Sequence, residues 1–121
     1  HARHRLLASA VQAAVASWSK GGKLRFLCSV PDARSVSVTS VHVEQGIDPE
    51  QIRTVARERF QVAMAGGLGP FAGRVFRIGH LGDMNAAMIL GALAGIEAAL
   101  QHLKIPIEDG VTRAVEVLSR S

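Results

Sequence analysis

Tyrosine is absent from the 121 residues, and the other aromatics are one tryptophan and four phenylalanines. Domains that bind nucleic acid through a sheet stack bases on exposed aromatic rings, so this composition speaks against that class. The formal charge of +4 does not restore it, because the 14 basic residues are scattered along the chain and make a diffuse field. Cysteine is nearly absent too. Cys28 alone leaves no intramolecular disulfide and suits a reducing compartment, with the cytoplasm as the expected location. Long apolar runs are also missing: the most apolar stretch, residues 84–103, is broken by Asn85, Glu97, Gln101 and His102, so no membrane span is expected. Internal repeats and low-complexity tracts do not occur.

What remains is an ordinary globular composition, 48% hydrophobic and 20% charged, which predicts a chain that folds around a core. The length suits one domain. The chain opens on His1 and its first twenty residues read as the interior of a fold, so we expect a single domain over residues 1–121 that is a piece of a longer polypeptide.

The spacing of Leu7, Ala10, Val11, Ala14, Val15 and Trp18 predicts a helix over residues 3–19, closed at Gly21 and Gly22. Alternation of Leu24, Phe26, Cys28 and Val30 with Arg25, Leu27 and Ser29 predicts a strand, and residues 36–43 predict a second one paired antiparallel to it. Asp48, Pro49 and Gln51 then read as a helix cap, a first-turn proline and the return half of a capping box. In that helix Ile52, Val55, Ala56 and Phe60 face inward and Arg53, Arg57 and Glu58 face water. Residues 61–65 are a further candidate strand, residues 66–73 a loop and residues 75–78 a strand. Asp83 is the expected cap of a helix over residues 84–103 with Met88, Leu93, Ile96, Leu100 and Leu103 inside and Gly91 and Gly95 permitting close approach. A last helix spans residues 111–118. This order predicts an α+β fold, a small antiparallel or mixed sheet with helices mainly on one face.

Chemistry concentrates in residues 66–83, GGLGPFAGRVFRIGHLGD, where a glycine-rich loop feeds a strand and ends at Gly79 and His80. Period-2 alternation sends Phe76 and Ile78 into the core and leaves Arg77 facing a cleft. A guanidinium on a rigid strand can grip a carboxylate with two parallel hydrogen bonds, and it can equally form a structural ion pair. Residues 67–72 also match the spacing of a dinucleotide fingerprint, but a strand follows where that motif needs a helix. His80 and Asp83 lack a third metal ligand and are expected in turn and capping roles, so no metal site is expected.

The same run is similar to the C-terminal signature of serine-glyoxylate and alanine-glyoxylate aminotransferases, with pyridoxamine-pyruvate aminotransferases as relatives, in class V of the fold type I pyridoxal-phosphate enzymes. Residues 1–18 resemble that family's RHARLxxAxxAAVxAW-like helix, residues 39–48 its TAVxxPEGID-like strand and turn, and residues 90–100 its LGALAGxExAL-like helix. The tract from Pro31 to Arg34, the pair Phe71 and Ala72, and Met84 depart from the pattern. The resemblance implies the C-terminal small domain of a homodimeric enzyme that passes an amino group from a small amino acid, serine or alanine, to glyoxylate or another 2-oxo acid. It implies that Arg77 binds the substrate α-carboxylate and that the backbone of Gly66, Gly67 and Gly69 lines the same pocket. Pyridoxal 5'-phosphate, with its bonding lysine, its acidic partner and its phosphate cradle, belongs to the large domain of the intact enzyme. No cofactor is therefore expected on this chain alone, and it is expected to be inactive. Lys20, near a helix end, is read as complementing the helix dipole rather than as a cofactor lysine. An apolar patch is expected where the missing domain docks. The rival reading is an independent, non-catalytic α+β ligand-binding or interaction module.

Overall fold

The computed structural model of the chain describes residues 2–28, 38–80 and 84–120, with Ala2 and His4 by their backbone only. Helix α1 spans Ala2–Ser19. Its predicted stripe of Leu7, Ala10, Val11, Ala14, Val15 and Trp18 is buried throughout. The chain then turns through Gly22, whose φ of 83° is the left-handed conformation that favours glycine after a helix.

Strand β1 is Leu24–Phe26 and β2 is Val38–Val43, paired antiparallel with Leu24 opposite Val43 and Arg25 opposite His42. Cys28 lies beyond the strand, and Val30 and Val36 lie outside the described residues. Helix α2, Pro49–Phe60, begins as expected with Pro49 in its first turn and the Asp48 side chain accepting the Glu50 amide at 2.9 Å. The return bond expected of Gln51 does not form: its side chain is exposed and only its amide is engaged, by the Asp48 carbonyl.

Between α2 and the next long strand the structure departs from expectation. Gln61 closes α2 in the left-handed conformation, and its amide turns back to Ala56 and Arg57. Residues 61–64 therefore pair with no strand, and β3 is only Ala65–Gly66. The glycine-rich segment is not wholly loop either: Gly66 belongs to β3, and Gly69–Phe71 forms a short 3-10 turn. Strand β4, Val75–Gly79, pairs antiparallel with both β2 and β3, giving the sheet order β1-β2-β4-β3.

Helix α3 is Ala86–His102, capped by Asn85, whose side chain accepts the Met88 amide at 2.9 Å. This corrects the expected start; Asp83 itself lies outside the described residues. The inner stripe runs Ile89, Leu93, Ile96 and Leu100, while Met88, expected inside, is 49% exposed. Of the two glycines only Gly95 makes a close approach: a Cβ there would stand 2.5 Å from Val62 Cγ2, whereas one at Gly91 would meet nothing within 4 Å. Helix α4 is Val111–Ser119.

Helix α1 lies on β1 and β2, α2 lies on β3 and β4, and α3 and α4 pack against these two helices. The helices cover the sheet face that carries Leu24, Thr39, Val41, Val43, Phe76 and Ile78, all buried. The opposite face carries Arg25, Ser40, His42, Ala65, Val75 and Arg77; no described helix lies on it, and of these residues Val75 is buried. The expected α+β class with helices on one face is what the structure has.

Candidate functional site

Arg77 sits mid-strand on β4, at the centre of the uncovered face. Its direct neighbours are Ser40 on β2 and Ala65 on β3, both short, so the larger guanidinium stands between low walls. Phe76 and Ile78 point the other way and are 0% and 3% exposed, which anchors the strand and holds Arg77 outward. Its Nε donates to the carbonyl oxygen of Gly66 at 2.8 Å. Among the described residues no carboxylate pairs with it; the four ion pairs involve Arg53, Arg57, Arg113 and Arg120 instead. Its two terminal nitrogens, the open edge of a planar fork, have no carboxylate partner among the described residues.

The glycines divide. Gly66 touches Arg77 through its carbonyl, and a Cβ there would meet the Arg53–Glu50 pair at 2.9 and 3.0 Å. Arg53, expected to face water, is in fact a clamp: its Nε donates to the Met64 carbonyl at 2.9 Å and its Nη1 pairs with Glu50, so α2 fixes the backbone that receives Arg77. Gly67 is sterically required, since a Cβ would fall 2.1 Å from the Phe71 carbonyl oxygen, and its amide is used by Val75. Gly69, with φ of 54°, shapes the 3-10 turn, and no contact brings it to Arg77.

Two features escaped the sequence. His80, expected in a turn or capping role, is fully buried, and its Nε2 lies 2.9 Å from Thr39 Oγ1, joining the end of β4 to β2 behind the Arg77 face. His42, two positions along β2 from Ser40, also belongs to the uncovered face, directly opposite Arg25. Burial, and after it the Arg25 and Arg74 guanidiniums, push His42 below its ordinary value of 6.5, with Glu44 pulling the other way. Antiparallel register would have exposed both clusters, but register is not written in one strand alone.

The chain was compared with known proteins. No family model matches it. It is 43% identical over 118 residues to the L-aspartate–glyoxylate aminotransferase of Paracoccus denitrificans, covering 95% of this chain and 28% of that protein. The chain is a homologue of the glyoxylate aminotransferases. The serine–glyoxylate aminotransferase of Methylorubrum extorquens is 37% identical over 118 residues, 96% of this chain and 28% of its own length. The crystal structure of the ureidoglycine–glyoxylate aminotransferase of Bacillus subtilis matches with a TM-score of 0.86 and 30% identity, over 98% of this chain and 30% of that one. The fold is thus that of an aminotransferase small domain, and the chain spans less than a third of the glyoxylate aminotransferases it matches.

Aminotransferase chemistry rests on pyridoxal phosphate, and the described residues do not furnish a site for it. Lys20 follows α1, Lys23 precedes β1 and Lys104 follows α3; all three are exposed, and none lies on β4 or on the segments beside it. Among the described residues no group of three or more metal-binding side chains gathers, and no helix is long and apolar enough to cross a membrane.

Proposed function

We propose that residues 1–121 form the small domain of an amino acid–glyoxylate aminotransferase and that Arg77 grips the α-carboxylate of its substrates. The observation that carries this reading is a guanidinium held outward at the centre of the uncovered sheet face, without a carboxylate partner among the described residues and steadied at Nε by Gly66. Its open edge matches the two oxygens of a carboxylate, and a rigid strand limits the entropy lost on binding. Gly66 supports Arg77 from β3 through its carbonyl, and Gly67 and Gly69 shape the segment that follows.

The reaction moves an amino group from a small amino acid to glyoxylate or another 2-oxo acid, both of which carry the carboxylate that Arg77 reads. Because the relatives are named for aspartate and for serine as donors, a group common to all amino acids is the one this domain recognises. The remainder of the parent protein holds pyridoxal phosphate, which supplies the electron sink when bound. The parent works as a cytoplasmic homodimer.

The test is Arg77→Ala in the intact parent. Transamination kcat/KM falls on the order of 100-fold while cofactor absorbance and folding stability are kept. Arg77→Lys fails to restore it, since a point charge does not reproduce the fork. An unchanged kcat/KM in Arg77→Ala, or transamination by the 121-residue chain alone, refutes the assignment.

A further inference from the structure

One row along the sheet from Arg77, at the end where β1 and β4 begin and β2 ends, Lys23, Arg25, His42 and Arg74 gather, none of them in an ion pair among the described residues. His42 lies directly opposite Arg25 on one side and Val75 on the other, with Arg74 preceding Val75. A pocket of about 330 Å³ opens between His42, Gly46, Gly73 and Arg74, and a smaller one of about 40 Å³ lies between Lys23, Arg25 and His42. Gly46 and Gly73 hold left-handed φ values of 96° and 75°, which keeps the turns lining the larger pocket tight and leaves those two positions without side chains. The acid lining both pockets is Glu44, and among the described residues it forms no ion pair with Lys23, Arg25 or Arg74.

A buried polar atom without a hydrogen bond opposes folding, and one occurs here beside two guanidiniums. His42 Nδ1 is buried and has no hydrogen-bond partner. Glu44 is the one acid lining the two pockets and forms no ion pair there among the described residues, so the cluster keeps an excess of positive charge, and the group that suits it is an anion with several acceptor oxygens. Arg25 and Arg74, one at each of the two pockets, can each offer paired donors, and His42 lies between them as a residue common to both pockets.

We infer that Arg25, Arg74 and His42 form a second anion site, separate from Arg77, which takes a phosphate or carboxylate group. This holds whether or not Arg77 reads substrate. The same oxyanion chemistry has two sources, a free small anion or an acidic side chain from the remainder of the parent protein. Binding lifts the proton affinity of His42, because the arriving charge opposes burial and the influence of Arg25 and Arg74, in the direction Glu44 already pulls.

The titration of His42 followed by NMR at its Cε1–H tests this. The 121-residue chain is titrated with inorganic phosphate and, separately, with acetate, with ionic strength held constant by chloride. The His42 midpoint rises by about one pH unit and the rise saturates with anion concentration. In the Arg25→Gln, Arg74→Gln double variant the starting midpoint is higher, but the added anion no longer moves it. A midpoint that does not respond, or that responds equally in the double variant or to chloride alone, overturns the site. In the intact parent, a midpoint already raised and indifferent to phosphate identifies a side-chain carboxylate as the occupant. One that is raised only when phosphate or acetate is added identifies a free anion. A midpoint still depressed in the presence of both anions rejects the inference.

Discussion

The two sides of this domain treat polar groups in opposite ways. On the helical side a single oxygen, Glu97 Oε1, accepts from Trp18 Nε1 at 2.7 Å, from the Gly110 amide at 2.7 Å and from the Val111 amide at 3.2 Å. Ser17 Oγ adds a bond to the Asp109 carbonyl at 2.7 Å, and the start of α4 is thereby tied to both α1 and α3. Gly110 makes this approach possible, since a Cβ there would fall 2.4 Å from Trp18 Nε1. On the uncovered sheet face Arg25 and Arg77 have no ion pair among the described residues, and neither has Arg74, just ahead of β4. There too lies His42 Nδ1, the one buried side-chain nitrogen or oxygen without a partner among the described residues. Polar groups that meet one another hold a fold together, and those left unmet are the ones available to ligands.

This contrast can be broken by experiment. Glu97→Ala strips three donors of their common acceptor and lowers unfolding free energy by about 3 kcal/mol in urea denaturation; a loss below about 1 kcal/mol would remove Glu97 as the organiser of the helical side. A smaller pair of effects, opposite in sign, separates the two glycines of α3. Gly95→Ala drives a methyl into Val62 and costs roughly 1–2 kcal/mol, whereas Gly91→Ala, with open space around it, gains up to about 1 kcal/mol from helix propensity. Equal signs in thermal unfolding would contradict the packing described.

The smallest effect belongs to the sheet face. His42 binds its proton less readily in the folded chain than its ordinary value of 6.5. Above that value both folded and unfolded chains hold it neutral. As the pH falls below 6.5 the unfolded chain takes up the proton first, so stability declines until the folded group titrates as well. His42→Gln flattens this part of the profile, read as the change in urea midpoint with pH. An unaltered slope would show that His42 is not strained by its neighbours.

Much of the fold was legible because local chemistry and tertiary packing agree. The stripe from Leu7 to Trp18, the cap formed by Asp48 and Pro49, and the alternation around Phe76 and Ile78 each follow from a short-range period. The misreadings share a different cause. Met88 and Ile89 are both apolar and adjacent, so only the partners of α3 decide which turns inward. Residues 61–64 have strand composition, yet the left-handed turn at Gln61 sends them past the sheet edge, leaving a strand of two residues. At the site, Arg77 was legible from parity on its own strand. The cluster of Arg25, His42 and Arg74 was not, because its members come from three strands or strand ends and meet only through register.

The bond from Arg77 Nε to the Gly66 carbonyl restricts how the side chain can be approached. With the inner corner of the guanidinium occupied, the carboxylate proposed for it would arrive head-on, along the direction in which the side chain points, and meet both terminal nitrogens together. Orientation is in this way imposed by a backbone oxygen of β3, the strand that α2 holds. A swing of the Gly66 peptide would redirect the side chain without changing any residue it contacts on its own strand.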